Sequence, residues 1–146
     1  SIDALNGLIE RILEPLRLHF GGLVITHGFT NAELIRKVQS GVAQKLDQHC
    51  AHELNQNGKR ICQRDGAAAD IYAPKIPSKI LTKFIVEHCS FDRIYIYGET
   101  RPVHVSYCHE SAQARQIVLL KEYLTGRRIP QVLTATKTID YLYSAD

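Results

Sequence analysis

Apolar residues in the first twenty positions recur at helical spacing, with Ile2, Leu5, Leu8, Ile9, Ile12, Leu13, Leu16 and Leu18 gathered largely on one side. The spacing predicts an amphipathic helix over 2–20, opened by Ser1 with Asp3, closed by Gly21-Gly22, and kinked or restarted at Pro15. Leu23-Val24-Ile25-Thr26 predicts a short β-branched strand. Asn31 is placed to cap a helix running from Ala32 towards Leu54 on Leu34, Ile35, Val38, Val42, Leu46 and His49, before a polar turn over 55–59. Ala67 to Tyr72 reads as a strand ended by Pro74 and Pro77. Ser78 then caps a helix in which Ile80, Leu81, Phe84, Ile85 and His88 fall together. Arg93 to Tyr97 alternates, 98–102 turns, and Val103 to Cys108 forms the hairpin partner. Gln116 to Leu120 fits a last strand or a buried helix turn, Leu124 to Pro130 a loop, and 131–146 a tail.

A length of 146 residues fits one domain over 1–146 with a real apolar core. Apolar residues at 45% and charged residues at 23% exclude general disorder. The net charge of +3 is spread over Arg36, Lys37, Lys45, Lys59, Arg60 and Arg64 with no aromatic stripe, so a nucleic-acid-binding module is the weakest of the function classes. There is neither an apolar run of membrane-helix length nor a basic leader followed by an apolar segment, which predicts a cytoplasmic protein with no membrane partner. The chain begins at Ser1 and has no Met, as expected of a processed product or a piece of a longer polypeptide. Cys50, Cys62, Cys89 and Cys108 include no C-x-x-C pair, and reduced, buried thiols are the expectation.

Two stretches carry the candidate chemistry: Gln63-Arg64-Asp65-Gly66-Ala67-Ala68-Ala69-Asp70-Ile71 and Arg101-Pro102-Val103-His104-Val105-Ser106-Tyr107. They resemble elements of the zinc site in the D-Ala-D-Ala carboxypeptidase family, whose fold is shared with the Hedgehog signalling domain. In that family a His, two spacers, a Gly, a small residue and an Asp run into a strand, and a second His arrives on a V-H-V strand. Leu13-Glu14-Pro15-Leu16-Arg17 before Phe20-Gly21-Gly22 is similar to the segment preceding the family's first strand, and the 91–107 hairpin resembles that of phage and bacterial members. The resemblance covers about residues 5–120 and leaves 121–146 outside. It implies an α+β domain with helices packed on a central antiparallel sheet, a closing strand at Gln116 to Leu120, and Asp70 and His104 as zinc ligands on neighbouring strands.

Three of the family's positions are altered. Gln63 stands where the first His belongs, and an amide is a poor ligand for zinc. Arg101 stands where the general base belongs and cannot take a proton at neutral pH. Thr30, in the loop His27-Gly28-Phe29-Thr30, stands where an arginine would grip a substrate carboxylate with two hydrogen bonds. The resemblance therefore implies a degenerate member, with zinc held weakly or not at all and no hydrolysis of D-Ala-D-Ala. Its cleft would serve as a recognition surface for a macromolecular partner or another domain of a parent chain, with Arg64, Arg93 and Arg101 as anion contacts. The alternative is a rebuilt zinc peptidase acting on peptidoglycan-type peptides, with Glu99 as base. Its third ligand would be His27, Cys62, Gln63 itself or a His of the inserted segment.

Overall fold

The computed structural model describes residues 1–35, 37, 43–122, 126 and 128–144. Helices α1 (Ile2–Leu8) and α2 (Glu14–Phe20) are joined by one wider π-helical stretch, Ile9–Leu13, so the predicted helix is continuous but locally expanded. The expansion lies just before Pro15, whose ring excludes the preceding turn's usual hydrogen bond. Ser1 Oγ accepts from the Ala4 N–H at 3.3 Å, and Gly21 ends the run at φ 72°, a left-handed conformation open to glycine.

Six strands follow: β1 (Val24–His27), β2 (Ala67–Tyr72), β3 (Arg93–Ile96), β4 (Val103–Tyr107), β5 (Gln116–Glu122) and β6 (Arg128–Val132). They form one sheet in the order β1-β2-β4-β3-β5-β6. The class is α+β, but β3 and β5 run parallel, so the sheet is mixed and the expectation of an antiparallel sheet is corrected. Asp92 is the physical reason. Its carbonyl accepts the Gln116 N–H at 2.9 Å and its carboxylate accepts the Ala114 N–H at 2.7 Å, so β5 starts beside the start of β3.

The end of the chain is part of this sheet. Arg128, Ile129 and Pro130, predicted as loop, open edge strand β6, where a proline can be tolerated. Leu124, Thr125 and Arg127 of that predicted loop lie outside the described residues. Helix α5 (Ala135–Tyr143) then packs on α4 (Ser78–His88), with the Lys83 ammonium over the Tyr143 ring and Lys79 Nζ donating to Ser144 O at 2.8 Å. Ser78 does not cap α4. Pro77 precedes the helix, and Ser78 Oγ donates instead to the Gly98 carbonyl at 2.7 Å.

The largest departure is the predicted helix from Ala32 to Leu54. Asn31 does cap its start, accepting the Glu33 and Leu34 N–H groups, but α3 is described only over Ala32–Ile35. Arg36 and residues 38–42 of that prediction lie outside the described residues. Two 3₁₀ turns, Gln44–Leu46 and Gln48–Cys50, replace the rest. Asp47 lies between them with extended backbone, and its carboxylate takes the His49 N–H at 3.0 Å, which caps a new turn.

The two faces of the sheet are chemically distinct. Ala69, Ile71, Ile94, Ile96, Val103, Val105 and Ile117 face Leu8, Ile12, Leu16, Leu81 and Ile85 of the helices in one apolar core. Helix α1 passes very close, since a Cβ on Gly7 would lie 2.1 Å from the Tyr107 ring. On the alternate positions stand Asp70, His104, Tyr95 and Val118. Leu46, from the segment between α3 and β2, packs against Tyr95, Val118 and Leu120 there. No helix among the described residues is long and apolar enough to cross a membrane.

Candidate metal centre

Strand register builds half of the site. His27 pairs with Asp70, Asp70 with His104, His104 with Tyr95 and Tyr95 with Val118, giving one row of side chains across five strands. The 3₁₀ turn Gln48–Cys50 lowers His49 onto this row. Asp70 Oδ1 lies 3.0 Å from His49 Nε2 and 3.0 Å from His104 Nδ1, and the two ring nitrogens are 3.1 Å apart. The three atoms converge on one point, an arrangement that hydrogen bonds to Asp70 satisfy and that also suits a cation at the centre. A tetrahedral zinc with bonds of about 2.0–2.1 Å sets its ligand atoms roughly 3.3 Å apart, which small motions of these side chains supply.

A second carboxylate stands beside the pair. Asp47, His49 and His104 are all buried, present ligand atoms within 4.8 Å of one another, and form a group that can hold a metal ion. Asp47 Oδ1 is engaged by the His49 N–H, whereas Asp70 Oδ1 touches both ring nitrogens directly. Geometry therefore favours Asp70 as the direct third donor and leaves Asp47 as the adjoining charge.

The electrostatics follow from burial and these contacts. Burial opposes ionisation of Asp70, but hydrogen bonds from His104 and His49 outweigh it and hold the carboxyl well below its ordinary range. Burial lowers His49 as well, yet the Asp70 hydrogen bond, the Asp70 and Asp47 charges and the Gly28 carbonyl leave it raised. His104 is lowered, because burial and the neighbouring His49 prevail over the pull of Asp70. The carboxylate thus stays ionised and His104 stays neutral, while protons compete with any cation at His49.

Several groups fix the turn that carries His49. Thr30 N–H donates to the His49 carbonyl at 2.9 Å. Gln48 Nε2 donates to Asp65 O at 2.8 Å and to Asp92 Oδ2 at 2.9 Å. His49 Nδ1 faces the Gly28 carbonyl without closing a full hydrogen bond to it. The His27 ring meets His49 edge-on at 4.5 Å, and Tyr95 meets His104 edge-on at 5.2 Å. Gly66 admits the chain into β2 at φ +125°, where a Cβ would lie 2.4 Å from Tyr107 O and 2.8 Å from Gln48 Nε2.

The residues expected from sequence separate into those at the cluster and those away from it. Asp70 and His104 are in it, and His27 adjoins it through His49. Gln63 is exposed, with its N–H on the Lys45 carbonyl, and Cys62 is paired with the Cys50 thiol, so neither joins the converging donors. Arg64 is tied down, donating to Leu46 O at 3.3 Å and Tyr95 Oη at 3.2 Å, and Arg93 is paired with buried Asp92. Thr30 is buried and acts through its backbone. Glu99 and Arg101 are exposed in the β3–β4 turn, lining a recess with Tyr72 and Ser78. His49 was read as part of a helix's apolar face. The available signal was Asp47-Gln48-His49, a capping residue two places before a His, lying upstream of Gly66 and Asp70.

All four cysteines are buried and unbridged. Interaction between the two thiols, with burial, raises Cys50 and, against burial, lowers Cys62 to about 7. No family model matches the chain, and no curated protein and no solved structure matches it.

Proposed function

We propose that this domain is a mononuclear zinc-dependent hydrolase of peptide-type amide bonds, with His49, Asp70 and His104 as ligands. The observation that supports it is the mutual approach of three donor atoms at 3.0, 3.0 and 3.1 Å in a buried setting. Two imidazoles and a carboxylate are a donor set suited to zinc with one position left open. Bound there, zinc supplies a Lewis acid and a water acidified to near neutral pH. Asp47 has the charge and the proximity to orient that water and accept its proton. Peptide amides are the substrate class because the motif order around Gly66, Asp70 and His104 resembles the carboxypeptidase family. His49, out of the inserted segment, supplies the donor that Gln63 does not.

The test is metal analysis after reconstitution with zinc, followed by assay of peptidoglycan-type peptides ending in D- or L-residues. One zinc per chain and zinc-dependent amide cleavage are expected. A chain that takes up no zinc, or keeps it in His49→Ala, removes the reading. A second reading, a recognition module, is favoured by exposed Ile2, Leu5 and Phe29 around a cavity of ≈ 270 Å³ that reaches His49. The partner in that case is a macromolecule or another domain of a longer chain, and zinc uptake without cleavage of any peptide would support it.

A further inference from the structure

Cys50 and Cys62 bracket the eleven residues 51–61, and both side chains are fully buried beside the Gln44–Leu46 turn. The segment between them is a small hairpin. Glu53 N–H donates to the Cys50 carbonyl at 3.1 Å, Ile61 N–H to Glu53 O at 2.9 Å and Asn55 N–H to Lys59 O at 2.8 Å, with a bridge from Leu54 to Arg60. Cys62 is held against the preceding turn, because Gln63 N–H donates to Lys45 O at 2.8 Å. The Cys50 sulfur lies 2.9 Å from Asp47 O and 3.6 Å from Gln44 O, and the Cys62 sulfur accepts the Arg64 N–H at 3.3 Å. Cys89 and Cys108 have no such arrangement: Cys108 Sγ lies 3.7 Å from the carbonyl of His109.

We propose that Cys50 and Cys62 are a disulfide-forming pair, a covalent modification site that closes the 51–61 hairpin immediately after the turn carrying His49. The step is thiol–disulfide exchange with a low-molecular-weight disulfide such as oxidised glutathione. One cysteine sulfur attacks the reagent and releases one reagent thiol, and the second displaces the other. Two electrons and two protons pass from the protein thiols to the reagent, which leaves as two thiols while one S–S bond forms in the protein. Because both sulfurs are buried, exchange proceeds as the chain folds or when the hairpin opens. The bond restricts the open chain far more than the folded one, since the folded hairpin already holds the sulfurs together. This inference does not rest on the hydrolase reading and survives its failure.

The test is refolding of the whole chain in graded mixtures of reduced and oxidised glutathione, alkylation of remaining thiols after denaturation, and peptide mapping by mass spectrometry. The expected result is one intramolecular link between Cys50 and Cys62, lighter by two hydrogens, with Cys89 and Cys108 alkylated. Trypsin cleavage at Lys59 and Arg60 then leaves two pieces joined until a reductant is added. Cys62→Ser leaves Cys50 as a free thiol or a glutathione adduct. A chain that stays fully reduced at every ratio, or that links either residue to Cys89 or Cys108, overturns the proposal. The mapping is made on the unaltered chain, so the outcome stands even if the Ser variant does not fold.

Discussion

The two faces of the central sheet show how differently one set of strands can be used. On one face, Ile71, Ile94, Ile96, Val103 and Val105 are sealed under three helices, and their contribution is area removed from water. On the other, Asp70, His104 and Tyr95 occupy the alternate positions of the same strands under a run of turns. Strand alternation makes the two faces inseparable in sequence, because a shift of register by one residue would exchange them. On the apolar face the cost of a substitution is expected to follow the volume lost, whereas on the polar face the proposed metal site needs all three converging atoms.

The strongest way to break this contrast is to delete a donor. His49→Ala, Asp70→Ala and His104→Ala are each expected to take zinc content from one per chain to none while the fold stays intact, read by elemental analysis and circular dichroism. Acidification should do the same reversibly. Both imidazoles must be deprotonated to bind metal. The Asp70 and Asp47 charges favour a proton on His49, so zinc retention is expected to be greatest on the alkaline side and to fall as pH drops. A zinc-sensitive dye followed from about pH 8 to about pH 5 checks the sign, since this window spans imidazole titration. Ile94→Ala reverses the pattern: about 2–5 kcal/mol of stability is expected to go in a urea titration, with zinc retained. Gln48→Ala sharpens the contrast, because it leaves every donor in place but frees the His49 turn from Asp65 and Asp92. Zinc affinity is expected to fall about 10–100-fold, the usual effect of losing an outer support, measured by competition with a chelator.

The strand-borne half of the site was legible in the sequence and the turn-borne half was not. Asp70 and His104 are placed side by side by the motif order of the carboxypeptidase resemblance, and the β2–β4 register does pair them. His49 sits among Leu34, Ile35 and Leu46 at spacings that suit a helix, and periodicity cannot tell a helix's apolar face from a turn that packs an imidazole inward. What decides the matter is Asp47, whose side chain caps its own turn and ends helical continuation, a competition that a periodicity count does not register. The parallel pairing of β3 and β5 was hidden for a related reason, since the interactions that select it come from one buried aspartate rather than from the strands. Likewise β6 was obscured by Pro130, a residue that speaks against a strand except at an edge.

That aspartate has a consequence for the order in which the protein comes into being. Asp92 accepts from Gln48, which lies 44 positions earlier, and from the backbone of Ala114, which lies 22 positions later. The turn bearing His49 is thus steadied by an acceptor translated long after it, and that acceptor is oriented by a segment translated later still. On a ribosome, His49 emerges together with Thr30 and Asp47, which hold its turn, but well before Asp65 and Asp92, which anchor Gln48 beside it. The nascent chain passes through an interval in which the turn is only partly held, and the interval ends when Asp92 and the Ala114 backbone that orients it have cleared the exit tunnel.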